Sequence, residues 1–319
     1  MRTLLPILIA LLTAGCNWSD LEAEFFAAAP GSRELSLVPP VDSQSQALRS
    51  DGLGTREDAL GRTEVYAGVV ATARDVNGLV SALCAGIDAI RDSGIPASKR
   101  EEDALTWGPF DDDKRPGLQV QVVMRREPDR YLYELQWGRK GEPDSFAKVI
   151  GGEFFGERAV HGHGSFVLDA DQARAAGVAD PRSPDDLSDV SRVELAYDLG
   201  GGVSSASLRF VARSGDAATI DYQVEADGGG WMNYRWLADF VAGVFGQRES
   251  LVIETRWLAG KAGYAAATVK GGDLGALEGA WAECWNEDLM QAFAERNWDC
   301  GGLATCGEGS RESCVLPPP

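Results

Sequence analysis

The stretch Tyr131–Trp137, with the sequence YLYELQW, decides the fold class of this 319-residue chain. Its odd-numbered positions carry large apolar side chains and most of its even-numbered positions are polar, as in a strand with one buried face. The same alternation recurs in segments 193–199, 208–210, 220–224, 232–236 and 251–257, with glycine-rich turns between several of them. Because no long helical pattern separates these segments, we predict an antiparallel β-meander of about ten strands, curled into a half-barrel or barrel.

Before the strands, the apolar period changes to that of a helix. Apolar residues recur three, four or seven positions apart at Val65, Val69, Val76, Leu79, Leu83, Ile87 and Ile90. This spacing predicts a helix over residues 60–92 whose apolar face packs on the sheet, with a kink or break at Asn77-Gly78. One or two shorter helices are expected, near residues 171–177 and 286–296. The fold class is therefore mainly β (α+β), with a helix-plus-meander domain over residues 61–285.

The N-terminus has the pattern of a secretory signal peptide. A basic residue, Arg2, precedes an apolar run that ends in Ala14-Gly15-Cys16. This run is shorter than the roughly 20 residues that cross a bilayer. It resembles a bacterial lipoprotein signal over residues 1–15, which implies a covalent lipid on Cys16 as membrane anchor. An ordinary signal that leaves Cys16 as a free thiol is the alternative. By the same resemblance, Asn17 favours the outer membrane of a bacterial envelope.

Two segments flank the predicted domain. Residues 16–60 contain Pro39-Pro40 and a polar run, which predicts a flexible tether after the lipidated cysteine. Residues 286–319 form a Cys-rich C-terminal tail, and the candidate disulfide cysteines are Cys284, Cys300, Cys306 and Cys314. Three pairings are possible, and the short loops favour Cys284–Cys300 with Cys306–Cys314. Cys84, on the predicted helix, remains as a buried and inert thiol.

Acidic side chains outnumber basic ones. Removal of residues 1–15 takes away Arg2 and no acid, so 29 basic and 49 acidic side chains give a net charge of −20. This charge argues against a nucleic-acid partner, whose phosphates are bound by Lys and Arg. It also argues against flat binding to anionic lipid through a basic face. The acidic runs 111–113, 169–171 and 185–186 lack the spacing of a calcium loop and are predicted to be solvated turns.

Several short motifs resemble a group of uncharacterised bacterial lipoproteins. They are Asp75-Val76-Asn77-Gly78, Thr106-Trp107-Gly108-Pro109-Phe110, Arg256-Trp257, Gly271-Gly272-Asp273-Leu274 and Glu283-Cys284-Trp285. The likeness covers roughly residues 60–300 and implies a helix followed by a long meander, without an activity to carry over. The predicted architecture is also similar to that of periplasmic lipoprotein-carrier half-barrels, although a fold does not imply a function.

The chain contains two histidines, His161 and His163, in the segment Val160–Gly164. In a strand they share one face, and Glu153, Glu157 or Asp169 would be the third ligand of a zinc site. The glycine-rich setting and the missing HExxH motif make these residues weak metal candidates. No G-x-S-x-G elbow is present for a serine hydrolase. The prediction is therefore that the protein is not an enzyme and needs no cofactor besides the lipid on Cys16.

Aromatic residues are the remaining signal. Those on predicted strands are Tyr131, Tyr133, Trp137, Tyr222, Tyr234, Trp236, Trp257 and Trp281. Core packing under the helix is the favoured interpretation, and a concave surface for an apolar ligand such as an acyl chain is the alternative.

The leading hypothesis is a non-catalytic, membrane-anchored envelope lipoprotein that is a structural or interaction module for another envelope protein. A lipid-binding half-barrel is the second hypothesis, and a metal-dependent hydrolase using His161 and His163 is the third.

Overall fold

The computed structural model of the protein describes residues 20–40, 64–156, 161–178, 189–215, 217–239, 246–298 and 300–318. Its helices are α1 (Asp20–Ala28), α2 (Glu64–Ser93) and α3 (Ala170–Ala175). Its strands are β1 (Lys99–Arg100), β2 (Ala104–Asp111), β3 (Leu118–Arg126), β4 (Tyr131–Arg139), β5 (Ala147–Phe155), β6 (His163–Asp169), β7 (Val190–Asp198), β8 (Ser204–Ala212), β9 (Ala217–Val224), β10 (Gly230–Ala238), β11 (Glu249–Trp257), β12 (Gly263–Lys270), β13 (Glu278–Trp285), β14 (Gln291–Arg296) and β15 (Cys306–Gly309). None of the helices in these ranges is both long and apolar enough to span a bilayer.

The fifteen described strands form one antiparallel sheet in which the order in space equals the order in sequence. The sheet is open, with β1 at one edge and β15 at the other. The prediction of a mainly β protein with a long meander is confirmed. There are more strands than the predicted ten because several of them carry little apolar alternation. In β5 the sequence is AKVIGGEFF and in β12 it is GYAAATVK, so glycine and alanine take positions where large side chains would mark a strand.

Alternate residues of each strand lie on two faces of the sheet. The inner face carries Tyr133 and Trp285 and packs against α2, while the outer face carries residues such as Glu134. The strand ends define two rims. We call the rim with the β1–β2 and β3–β4 turns the lower rim, and the rim with the β2–β3 and β12–β13 turns the upper rim.

Helix α2 crosses the inner face from one side of the sheet to the other. Near its start, the Tyr66 amide donates to Glu283 Oε1 at 2.7 Å, and the Tyr66 ring lies 4.6 Å from that of Trp285 on β13. Near its end, Gly86 lies against Tyr133 on β4. The helix has 30 residues, which corresponds to a length of about 45 Å at 1.5 Å per residue.

The apolar face of α2 follows the predicted spacing. The fully buried residues on it are Val69, Ala73, Val76, Val80, Leu83, Ile87 and Ile90, which are three or four positions apart. This row confirms the predicted helix, and α2 continues through Asn77-Gly78 without interruption. The Asn77 side chain has a different role, because its amide group bonds both the N–H and the carbonyl of Leu37.

The predicted tether is corrected for residues 20–40. Phe25 and Leu37 are 1% and 2% exposed and belong to the core, as do Ala29 and Leu35. Val38 donates its N–H to the Tyr222 hydroxyl of β9 at 3.0 Å. Polar composition predicted a tether, but the few apolar residues of this segment cover the inner face beside α2. The rest of the predicted tether, Cys16 and the signal segment lie outside the described residues.

The predicted C-terminal tail is partly corrected as well. Strand β14 lies where a short helix was expected near residues 286–296, and both β14 and β15 extend the sheet. The disulfides are Cys284–Cys314 and Cys300–Cys306, so the favoured pairing was wrong. Cys284 is held at the end of β13 next to β14, and the chain returns to it after β15. The short helix expected near residues 171–177 is present as α3.

Candidate functional site

The two histidines lie at the lower end of β6. Both are exposed, and the His163 ring stacks on Phe155 with centroids 4.9 Å apart. Of the expected third ligands, Glu153 pairs with Arg130 at 2.9 Å, Asp169 caps α3, and Glu157 lies outside the described residues. In the part of the chain that the structure describes, no three His, Cys, Asp or Glu side chains converge as a metal site. The structure therefore does not assemble the weak metal candidates into a ligand set.

Strand register places His163 opposite Asp198, and Asp198 opposite Ser205. These are the residue types of a hydrolytic triad, but the order differs because the carboxylate lies between the other two. In a serine hydrolase the imidazole must lie between the serine and the carboxylate. The Asp198 carboxylate instead accepts the N–H of Gly200 at 2.8 Å. Asp198 therefore stabilises the turn after β7, and the three residues do not form a proton relay.

The acidic runs bind basic side chains and helix ends. Asp111 accepts hydrogen bonds from Lys140 and Gln119, and the Lys140 contact is the main cause of its lowered pKa. Asp171 accepts from Arg174 and Arg213, which lowers the pKa of that carboxyl in the same way. The run 185–186 lies outside the described residues. These contacts give the described acidic runs a role in loop structure.

Cys84 is a free, fully buried thiol on α2, as predicted. Burial raises the pKa of this thiol to about 12, and the nearby Asp88 adds to the shift. A nucleophilic cysteine needs a lowered pKa and access to solvent. Cys84 has neither property, which fits an inert core residue.

Most of the inner face is filled by the chain itself. Among the predicted aromatic residues, Tyr133, Tyr222 and Trp257 are at most 4% exposed and lie in the core beneath α2 and the segment 29–38. Tyr131 packs edge-on against Phe25 of α1 at 5.3 Å. The interpretation as core is confirmed for Tyr133, Tyr222 and Trp257 but not for Trp236, which is 42% exposed. The space that a lipid would occupy in an empty half-barrel is taken here by α2.

One part of the inner face lies outside this core. It is the upper half of strands β10–β13, which we call the aromatic trough. Its residues are Tyr234 and Trp236 of β10, Leu251 and Ile253 of β11, Ala267 and Val269 of β12, Gly279 and Trp281 of β13, and Trp298 after β14. Tyr234 and Ile253 contact the edge of the core, whereas Trp236 and Trp298 are 42% and 39% exposed.

The trough has an aromatic group on each side and small residues between them. Tyr234 and Trp236 lie 6.3 Å apart on one side, and Trp281 and Trp298 lie 5.7 Å apart on the other. Three strand spacings separate β10 from β13, or about 14 Å along the sheet. Gly279 contributes to this shape, because a Cβ there would lie 3.4 Å from the Trp298 ring.

Trp281 contributes a polar group, its indole N–H, to the trough. Its Nε1 atom is buried and has no hydrogen-bond partner in the described part of the chain. The guanidinium of Arg296, its neighbour on β14, lies 5.8 Å from the ring centroid in cation–π geometry. Sequence reasoning placed Trp281, Tyr234 and Trp236 on strands but missed Trp298, which lies after a strand that was predicted as helix.

Comparison with known proteins identifies no relative. No family model, no curated protein and no solved structure matches the chain. The resemblance to uncharacterised lipoproteins and the likeness to carrier half-barrels therefore remain predictions.

Proposed function

We propose that this protein is a non-catalytic, membrane-anchored lipoprotein of a bacterial envelope, and that it is a structural or interaction module. The observation that supports this most is that α2 and residues 29–38 cover most of the inner face of the sheet. A protein with this arrangement presents its rims and its outer face to other molecules. The net charge of −20 for the chain without residues 1–15 favours a protein partner over nucleic acid.

The anchor is tested by labelling cells that express the wild type or the Cys16→Ser variant with a palmitate analogue. We expect the wild type to be labelled and to sediment with outer membranes, because acylation of Cys16 is the proposed attachment. The variant is expected to lose the label. A Cys84→Ser variant is the matched control and keeps the label, since Cys84 is buried. Labelling of the Cys16→Ser variant at the wild-type level would contradict the proposal.

The second candidate function is binding of an apolar ligand such as an acyl chain. The aromatic trough supports it, because an apolar surface with a few polar groups, here including the buried and unpaired Nε1 of Trp281, is typical of ligand sites. The ligand would lie between the two aromatic pairs, above Ile253 and Ala267. In this case the protein remains a non-catalytic binder, and α2 restricts the ligand to the upper half of the sheet.

The two candidates are separated by organic extraction of the purified protein and by titration with a fluorescent fatty acid. Ligand binding predicts a co-purifying lipid and weaker fatty-acid affinity in Trp281→Ala. The control is Trp231→Ala, because Trp231 lies on the outer face of β10, one residue from the inner-facing Met232. An empty extract and equal titration of both variants would exclude the trough as a lipid site.

A further inference from the structure

The start of the described chain is fixed to one corner of the molecule. Glu22 of α1 is fully buried, and its Oε1 accepts the Ala97 N–H at 2.7 Å and pairs with Arg100 at 3.2 Å. Glu24 pairs with Arg126 at the end of β3 and accepts the Tyr131 hydroxyl. These contacts hold α1 at the lower rim, beside the first four strands.

The ring contacts of α1 add to this attachment. Phe25 is 1% exposed, and Phe26 lies 5.6 Å from Trp107 of β2. Burial of a Phe side chain removes a large apolar surface from water and so stabilises the docked position of the helix. A buried carboxylate paired with an arginine adds a group that is costly to separate from its partner. Helix α1 is therefore part of the folded body, and Asp20 has a fixed place in it.

Only residues 17–19 separate Asp20 from Cys16. An extended chain advances at most 3.3–3.6 Å per residue, so the two Cα atoms are at most about 14 Å apart. A nine-residue strand of this sheet is about 30 Å long. The length of a strand therefore exceeds the greatest distance that residues 17–19 can place between Cys16 and Asp20.

We propose that the corner at α1 faces the phospholipid headgroups and sets a single orientation of the domain on the membrane. We define the α1 corner as α1 together with residues 94–103. The inference rests on the proposed lipidation of Cys16. The predicted tether over residues 16–60 would hold the domain away from the bilayer. The short attachment to α1 instead holds the domain against the bilayer. The aromatic trough, which opens at the upper rim, then points away from the anchoring leaflet.

The surface of the α1 corner suits an interfacial contact. Ile95 is 43% exposed, and it is followed by the long side chains of Lys99 and Arg100, which pair with Glu101 and Glu22. An apolar side chain next to long basic ones is favoured at the level of lipid headgroups. The corner is net acidic, because its two basic side chains are outnumbered by Asp20, Glu22, Glu24, Glu101, Glu102 and Asp103, so it has no net attraction to anionic lipid. The short attachment, rather than affinity of the body for lipid, is therefore what keeps this corner at the membrane.

The test uses fluorophores on single introduced cysteines in the full-length, lipidated protein. Ile95→Cys places the probe in the α1 corner, and Leu277→Cys is the matched control on the opposite rim, where Leu277 is 72% exposed. Native Cys84 is buried, and the other described cysteines are in disulfides. The proteins are bound to phosphatidylcholine vesicles that contain a headgroup spin-labelled lipid. We expect strong quenching at position 95 and little at position 277.

A second variant separates orientation from anchoring. Twenty Gly and Ser residues inserted between Ser19 and Asp20 add a root-mean-square distance of about 25 Å. We expect this variant to float with vesicles as the wild type does and to lose the quenching at position 95. Equal quenching at the two positions, or quenching that persists with the insertion, would overturn the proposed orientation while leaving the anchor intact. A wild-type protein that fails to float would refute the lipidation itself.

Discussion

Helix α2 approaches strands β3 and β4 of the inner face closely at Gly86. A Cβ atom at this position would lie 2.7 Å from the Tyr133 hydroxyl, 3.0 Å from Val122 and 3.1 Å from Leu135. Tyr133 is fully buried, and all three contacting groups are side chains of the packed core. Gly86→Ala therefore requires these core side chains to shift or α2 to move away from strands β3 and β4. Gly78 is the matched control on the same helix, because a Cβ there meets nothing within 4 Å.

The expected magnitudes follow from two opposed effects. Replacement of a helical glycine by alanine stabilises by roughly 0.5–1 kcal/mol, and this gain is common to both positions. Overpacking of a filled core costs about 1–3 kcal/mol, and this cost applies to Gly86 alone. We therefore expect Gly78→Ala to raise the free energy of unfolding. Gly86→Ala should be less stable than Gly78→Ala by about 1–3 kcal/mol.

Urea denaturation of both variants, followed by circular dichroism at equilibrium, measures this difference. The comparison between variants removes the propensity gain, so what remains is the contact with Tyr133. Equal stabilisation by the two substitutions would refute the docking of α2 on β3 and β4. It would also remove the main support for a filled inner face and would favour an open half-barrel.

Two further predictions concern the cysteines. The chain-entropy estimate for loops of 30 and 6 residues is about 3.6 and about 2.2 kcal/mol, so Cys314→Ala should cost more unfolding free energy than Cys306→Ala; a peptide map with Cys284 linked to Cys300 would contradict this pairing. Burial raises the pKa of Cys84 from 9.0 to about 12, so the unfolded chain loses this proton first. The contribution of the thiol to stability is therefore complete below pH 9 and falls as the pH rises toward 12. Cys84→Ala should flatten the loss of stability just above pH 9, before tyrosines titrate, and an unchanged slope would show that the thiol is accessible to water in the native state.

The sequence predicted those helices and strands in which large apolar side chains recur with the spacing of the secondary structure. Helix α2 has its buried residues three or four apart, and β4 alternates over its whole length. Strands such as β12 were missed because alanine occupies positions where large apolar side chains would have shown the alternation of a half-buried strand. The number of strands was therefore underestimated, although their type and connectivity were predicted.

Contacts between distant segments were beyond sequence reasoning. Residues 20–40 have the polarity of a tether, and their attachment depends on Glu22 meeting Arg100 and on Asn77 meeting Leu37. The aromatic trough was half predicted in the same way. Period-2 alternation placed Trp236 and Trp281 on strands, but only the register shows that they border one stretch of the inner face.

The order of the strands has a consequence for synthesis of the chain. Helix α2 precedes all the strands in sequence, so it leaves the ribosome first, and each strand that follows pairs with the one just made. Tyr66 at the start of α2 meets Glu283 and Trp285 only when strand β13 has been made, 217 residues after Tyr66. The start of α2 is thus synthesised before every described strand but meets its partners on β13 only after twelve of these strands have been made. During that interval the two ends of α2 differ in their exposure to chaperones and proteases.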